Sequence, residues 1–194
     1  MHRLMMGLAK FMAILGGIVL SFLILLTCVS VLGRSLNGLF HGDFMERIAP
    51  GFSKWMIDIG VGPVNGDFEL VEAGVAFAIF AFIPLCQITA GHASVDIFAN
   101  AFPKWLDRTL RTVTEIVFAL VLILIAWRLY DGMTSKMRFG ETTFLIQFPI
   151  WWAYAASLVG AVMAAVVGVY MACVRVIEFV TGQTLIADGA GADH

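Results

Sequence analysis

Four long stretches with few or no charged residues constrain the fold of this chain more than any other feature. They span about residues 11–33, 72–91, 110–130 and 149–174. A helix rises ~1.5 Å per residue, so about 20 apolar residues cross the ~30 Å hydrocarbon core of a bilayer. The chain is 60% hydrophobic and only 13% charged, whereas soluble domains are about 45–50% apolar and about 25% charged. The sequence therefore predicts an all-α integral membrane protein with four transmembrane helices.

Two shorter segments outside these spans predict amphipathic helices in the membrane interface. Within residues 50–60, and again within 94–108, apolar side chains recur at i, i+3, i+4 and i+7. This spacing places apolar residues on one face of a helix, and such a helix can lie along the headgroups. We therefore predict one four-helix membrane domain over residues 1–181. Residues 182–194 are polar and rich in Gly and Ala, and we predict a disordered tail there.

A polar step, "GHASVDIF", directly follows the second span. His92 and Asp96 are four residues apart there, which is compatible with a metal site, a catalytic pair or the start of a surface helix. No further metal ligand lies near them in sequence. Asp96 in a first helical turn would complement the helix dipole. We therefore interpret the step as a bend from a membrane-crossing helix to a surface helix, and predict no catalytic residue, metal or cofactor.

The fourth span has the features of a closely packed helix. Pro149 suits a first helical turn, and Trp151 begins an aromatic group typical of a membrane interface. Small residues recur at every fourth position, at Ala156, Gly160, Ala164, Gly168 and Ala172. This small-xxx-small pattern lets the backbone of another helix approach closely.

The few polar residues inside the spans have structural explanations. Gln87 follows Pro84 by less than one turn and can satisfy backbone groups that the proline leaves free; the alternative is that it belongs to a polar transport path. Glu115 can pair with Arg111, four residues earlier on the same helix. An ion path would normally require a series of ionisable groups through the bilayer, and the sequence shows no such series.

Arg34 follows the first span, on the side of the membrane where the second span begins. Glu69 or Glu72 is therefore its candidate ion-pair partner. The alternative is that these charges are solvated independently.

Charge alone determines the orientation only weakly. With the N-terminus in the cytoplasm, six Lys and Arg residues fall on each side of the membrane, so the positive-inside rule gives a tie. Acidic residues are concentrated in the first loop, which favours an external location for that loop. We therefore expect cytoplasmic N- and C-termini.

The order of these features resembles the small membrane subunit of tripartite ATP-independent periplasmic (TRAP) transporters, over roughly residues 10–180. That family has four spans, an H-x-x-V-D step after the second and a P-x-W/Y-like start of the fourth, here "GHASVDIF" and "FPIWWAY". Its arginine after the first span is similar to Arg34, and its acidic-Leu start of the second span is similar to Glu69 and Leu70. The family's first loop is often much shorter, so residues 40–66 resemble an insertion.

The resemblance implies a secondary transporter in the bacterial inner membrane. A periplasmic solute-binding protein would deliver an organic anion to a large membrane subunit, which carries it with Na⁺, and the small subunit would brace the large one. The implied partners are these two proteins and the phospholipid membrane. The sequence contains no basic stripe of the kind that would indicate nucleic-acid binding.

Two alternatives remain beside this interpretation. One is a membrane anchor of a respiratory enzyme, although none of the four histidines lies in the middle of a span, where haem ligands would be expected. The other is a stand-alone small transporter, which the shortage of polar groups inside the spans disfavours.

Overall fold

The computed structural model describes residues 2–42, 50–89 and 104–181. Within them the chain forms five α-helices: α1 (His2–Phe40), α2 (Pro50–Asp58), α3 (Asp67–Ile88), α4 (Lys104–Phe139) and α5 (Ile150–Thr181). Four of these, all except α2, are long and apolar enough to span a membrane. The predicted all-α membrane fold with four transmembrane helices is confirmed.

The membrane helices are longer than the uncharged stretches from which they were predicted. The sequence predicted a third span over 110–130, whereas α4 runs from Lys104 to Phe139. Charged side chains near helix ends do not break the helix, because they extend towards headgroups and water. α4 ends instead before Gly140, whose φ of 61° is the left-handed conformation common just after a helix.

The predicted interfacial segments have different outcomes. Residues 50–60 contain α2, and Phe52 of this helix contacts Phe40 at the end of α1 with ring centroids 6.0 Å apart. In the segment 94–108, residues 94–103 lie outside the described residues, and 104–108 form the first turns of α4. The predicted tail, 182–194, also lies outside the described residues.

The four long helices form an open row in the order α1, α3, α5, α4. α5 packs along α3 on one side and α4 on the other, while α1 packs mainly along α3. Half of the most apolar stretch of α5 is buried, compared with 33% for α3 and 17% for both α1 and α4. The two inner helices therefore supply most of the buried surface, and the outer two leave long apolar faces uncovered.

The contact between α1 and α3 follows a seven-residue repeat. Ala9, Gly16, Leu23 and Ser30 are all buried. Seven residues are close to two helical turns, so these residues form one nearly straight seam, as in coiled coils. A Cβ added to Gly16 would lie only 2.9 Å from the Ala81 Cβ of α3. Because Gly16 has no side chain, the two helices can approach closely there.

Candidate functional site

The small-residue ladder of α5 joins the two halves of the row. Gly160 faces α3, where an added Cβ would be 2.8 Å from the Phe80 Cβ. Gly168 faces α4, where an added Cβ would be 3.0 Å from Leu122 Cδ1. Each step of four residues turns about 40° beyond a full helical turn. The ladder therefore winds around α5 from one neighbouring helix to the other.

The ladder is buried in its central part and opens at its ends. Gly160, Ala164 and Gly168 are buried, Ala172 is half-buried, and Ala156 is exposed. The central positions are therefore occupied by helices of this chain itself. They are not a free surface for another protein.

A polar cluster joins the far end of α1 to the start of α3. The Ser30 hydroxyl donates to Asp67 Oδ2 at 2.5 Å and accepts from the Val64 N–H at 3.3 Å. Arg34 Nη2 lies 3.8 Å from the same Asp67 oxygen, with 58% of the Arg34 side chain exposed. Because it is buried between the two helices, Ser30 fixes the Asp67 carboxylate that the arginine meets.

The predicted partners of Arg34 are thereby corrected. Its ion pair is with Asp67 and not with Glu69 or Glu72. The backbone near Gly62 passes directly over Gly33, where any Cβ would overlap the Gly62 carbonyl. This approach brings the start of α3 against Arg34 through its first residue, so the later acidic residues face elsewhere.

Glu69 holds the loop between α4 and α5. Its carboxylate accepts hydrogen bonds from the Leu145 N–H at 2.6 Å and the Ile146 N–H at 2.9 Å. Ile146 also packs over Gly66, where any Cβ would overlap the Ile146 side chain. Gly66 has a φ of 76°, a conformation that glycine adopts without steric cost. Two charge-assisted bonds and this contact anchor the loop to the first turn of α3.

The same loop is internally ordered and ends in an apolar tip. Thr143 N–H donates to the Phe148 carbonyl at 2.9 Å, and Phe148 N–H donates to Thr143 Oγ1 at 3.0 Å. Pro149 lies immediately before α5 and forms an isolated antiparallel β-bridge with Thr142. Phe144, at the tip, is 92% exposed.

The aromatic group predicted at the start of α5 surrounds the foot of this loop. The ring centroids of Trp151 and Trp152 lie 5.8 Å apart at 81°, and Phe148 contacts Trp152 at 5.7 Å. Edge-to-face pairs of this kind are favourable for aromatic rings. Trp151 is half-buried and Trp152 is exposed, as expected for residues that anchor a helix at a membrane interface.

Two polar pairs are buried inside the spans, near the C-terminal ends of α3 and α5. Gln87 Nε2 of α3 donates to Glu115 Oε2 of α4 at 2.5 Å, with both residues buried. Arg175 Nη1 donates to Glu178 Oε2 at 2.8 Å within α5, and this pair is also buried. The sequence predicted that Gln87 satisfies backbone groups near Pro84. In the structure its side chain links inner α3 to outer α4 through this hydrogen bond.

His92 and Asp96 lie outside the described residues, so their predicted part in a surface-helix start stays a prediction. Among the described residues, no group of three or more His, Cys, Asp or Glu side chains is arranged to hold a metal ion.

Sequence reasoning missed two functional contacts of the acidic start of α3. Asp67 and Glu69 both lie in its first turn, where carboxylates complement the positive end of the helix dipole. The helix dipole explains why both residues are acidic. It does not predict that Asp67 faces α1 while Glu69 faces the loop before α5. The glycine directly before them, Gly66, was the sequence signal for a turn at this point.

Together these contacts fasten α3 to its neighbours, and we call this set of contacts the brace. α3 is fixed to α1 through Asp67, to the α4–α5 loop through Glu69, and to α4 through Gln87. The residues that the structure describes leave two broad apolar faces uncovered on the outer helices. The arrangement can therefore present apolar faces to lipid and to other membrane helices.

Comparison with known protein families agrees with this description. The family described as "Tripartite ATP-independent periplasmic transporters, DctQ component" matches residues 23–178, which is more than half of the chain. No curated protein and no solved structure matches the chain. The matched region includes α3, α4 and the Arg34 end of α1, so it covers the brace. The chain therefore belongs to the DctQ family and is the small membrane component of a TRAP transporter.

Proposed function

We propose that this chain is the static scaffold subunit of a three-component importer. Its partners are a large membrane subunit, which carries an organic anion with Na⁺, and a periplasmic solute-binding protein, which delivers that anion. The complex lies in the bacterial inner membrane, with both termini of this chain in the cytoplasm. The family membership supports the transporter class, and the structure supports the bracing role.

The open row of helices is the observation that carries this proposal. α1 and α4 are each only 17% buried over their most apolar stretches, although both are long enough to cross the bilayer. In lipid, helices associate through close packing and polar contacts, and hydrophobicity alone drives little association. A partner helix can therefore pack on either outer face without displacing any contact inside the row.

The internal fastenings fit a part that stays still while another moves. The same helix, α3, is tied to α1, to the loop before α5 and to α4 by side-chain hydrogen bonds. Because these ties lie near both ends of α3, tilting one helix against another would break some of them. A row fixed in this way resists the forces that a moving neighbour exerts on it.

Copurification tests the scaffold role. The tagged chain is expressed in its native host, extracted in mild detergent and analysed by mass spectrometry for proteins present in stoichiometric amount. We expect one larger protein with many membrane spans. A colourless homo-oligomer that moves solute on its own would contradict the proposal. A Soret absorbance band would instead indicate the anchor of a respiratory enzyme.

Reconstitution tests the coupling. Proteoliposomes containing both membrane subunits should import an organic anion only when the binding protein and an inward Na⁺ gradient are both present. Vesicles lacking this chain are the matched control, and we expect no uptake from them. Equal uptake without this chain would contradict an essential scaffold role.

A further inference from the structure

A groove of about 320 Å³ lies on α5 between α3 and α4. Its floor and walls are mostly small or apolar, with Ala73, Ala76 and Phe80 from α3, Leu129 from α4, and Ala153 and Ser157 from α5. α3 and α4 both pack along α5, and the groove lies between them. Apart from Glu69 at its mouth, the bracing contacts do not involve the groove, and the transport proposal does not use it.

The depth of the groove matches one leaflet of a bilayer. Along α3 its lining runs from Glu69 through Glu72 to Phe80. Glu72, the innermost charged residue of the lining, precedes Phe80 by eight positions, which correspond to about 12 Å of helix. Half of the hydrocarbon core is about 15 Å thick. An extended apolar chain entering from the headgroup level can therefore follow the groove through most of one leaflet.

The mouth of the groove is acidic. Glu69 and Glu72 both line it. The carboxylate of Glu69 is occupied by the backbone N–H groups of Leu145 and Ile146, whereas Glu72 is exposed. A carboxylate at the edge of the hydrocarbon region is stabilised by a cation that donates hydrogen bonds to it. The same charge disfavours an anionic headgroup.

We infer that this groove binds a phospholipid with a primary-ammonium headgroup, such as phosphatidylethanolamine. One acyl chain lies on the small residues of α3 and α5, and the ammonium group binds the carboxylate of Glu72. A primary ammonium carries three N–H donors. The quaternary ammonium of phosphatidylcholine has none, so it keeps the charge but loses the hydrogen bonds.

Native mass spectrometry of the full chain, with any membrane subunit that copurifies, tests this inference. After delipidation in detergent, the protein is titrated separately with phosphatidylethanolamine, phosphatidylcholine and phosphatidylglycerol of identical acyl chains. We expect a first bound phosphatidylethanolamine to be held about tenfold more tightly than either other lipid, as one charge-assisted hydrogen bond would give. Equal affinities for the three lipids would overturn the inference.

Two variants separate the headgroup from the acyl chain. Glu72→Gln should reduce the affinity for phosphatidylethanolamine to that for phosphatidylcholine, while Asp131→Asn, at an exposed position of α4 outside the groove, should preserve the preference. Ala76→Leu fills the groove and should weaken the first binding event for every lipid, while Val162→Leu, at an exposed position of α5, should not.

Three other results would contradict the inference. If the preference for phosphatidylethanolamine persists in Glu72→Gln, Glu72 does not select the headgroup. If Ala76→Leu and Val162→Leu bind lipid equally, the lipid lies elsewhere. A preference seen for the chain alone but lost in its complex would assign the groove to a partner subunit. None of these results depends on whether the complex imports an organic anion with Na⁺.

Discussion

α5 and α1 are both long apolar helices, yet they have opposite roles in the row. Half of the most apolar stretch of α5 is buried, compared with 17% of that of α1. The buried surface of α5 consists largely of Ala, Gly and Ser, whereas the exposed surface of α1 consists largely of Phe, Ile, Leu and Val. Lipid tails are as apolar as leucine, so apolar character does not decide which helix is buried. In α5, small residues such as Gly160 and Gly168 lie against both neighbouring helices and let their backbones approach closely.

Enlarging a buried glycine of α5 should have the largest effect. An added Cβ at Gly160 would lie 2.8 Å from the Phe80 Cβ and 3.0 Å from its carbonyl carbon. We expect Gly160→Leu to lower the free energy of unfolding by about 3 kcal/mol or to prevent folding, because the backbone of α3 would have to move. Thermal unfolding in detergent micelles measures this.

Gly17→Leu in α1 is the matched control. Nothing lies within 4 Å of a Cβ added there. Since leucine is a better helix former than glycine, this variant should be neutral or more stable by up to about 1 kcal/mol. Equal losses in the two variants would show that the two helices do not differ in the proposed way.

Removal of the hydrogen bond between Gln87 and Glu115 should have the next largest effect. This bond joins inner α3 to outer α4. We expect Gln87→Leu to cost about 1–3 kcal/mol, because the buried carboxylate of Glu115 loses a donor. The measurement is again thermal unfolding in micelles.

The double variant Gln87→Leu/Glu115→Leu provides the control. It should cost less than the sum of the two single changes, because neither polar group then lacks the other. Strict additivity would indicate that the two side chains stabilise the row independently.

Truncation of Glu69 should have a local effect. Without its carboxylate, the N–H groups of Leu145 and Ile146 lose their acceptor. We expect amide hydrogen exchange at these two residues to become about tenfold faster or more in Glu69→Ala. Glu72→Ala, three residues further along α3, should leave that exchange unchanged. Faster exchange in both variants, or in neither, would exclude Glu69 as the specific anchor.

Arg34 should contribute least to the stability of the isolated chain. Its ion pair with Asp67 is 3.8 Å long and the side chain is 58% exposed, so Arg34→Ala should cost less than about 1 kcal/mol. The exposed guanidinium remains available to a partner, and we expect the variant to reduce the yield of complex with the large subunit. Unchanged yield with weakened substrate affinity would argue against a role of Arg34 in assembly.

The sequence was most informative about the lipid-facing properties of the chain. Long stretches with few or no charged residues predicted all four membrane helices, because a bilayer sets both their length and their composition. Recurrence of small residues predicted a helix with close neighbours, and Gly160 and Gly168 of α5 lie against α3 and α4. These signals are local and periodic, so a single sequence is sufficient to detect them.

The sequence was least informative about which polar side chains meet. Asp67, Glu69 and Glu72 lie within six residues, and each is a plausible partner for Arg34. The choice depends on the path of the backbone around Gly62 and Gly66, which sets the rotation of α3 about its axis. Asp67 and Glu69 are two residues apart, about 200° around the helix axis, so a different rotation of α3 would bring a different carboxylate to Arg34. Periodicity identifies a helix face, but it does not determine which neighbour that face meets.

The unequal lengths of α1 and α3 have a further consequence. Ser30 of α1 lies beside Asp67, the first residue of α3, and α1 continues to Phe40. These ten residues correspond to about 15 Å of helix beyond its neighbour. α2 rests against this extension through Phe52. The end of α1 therefore projects at one edge of the molecule, and a protein that contacts it would be held about 15 Å from the start of α3.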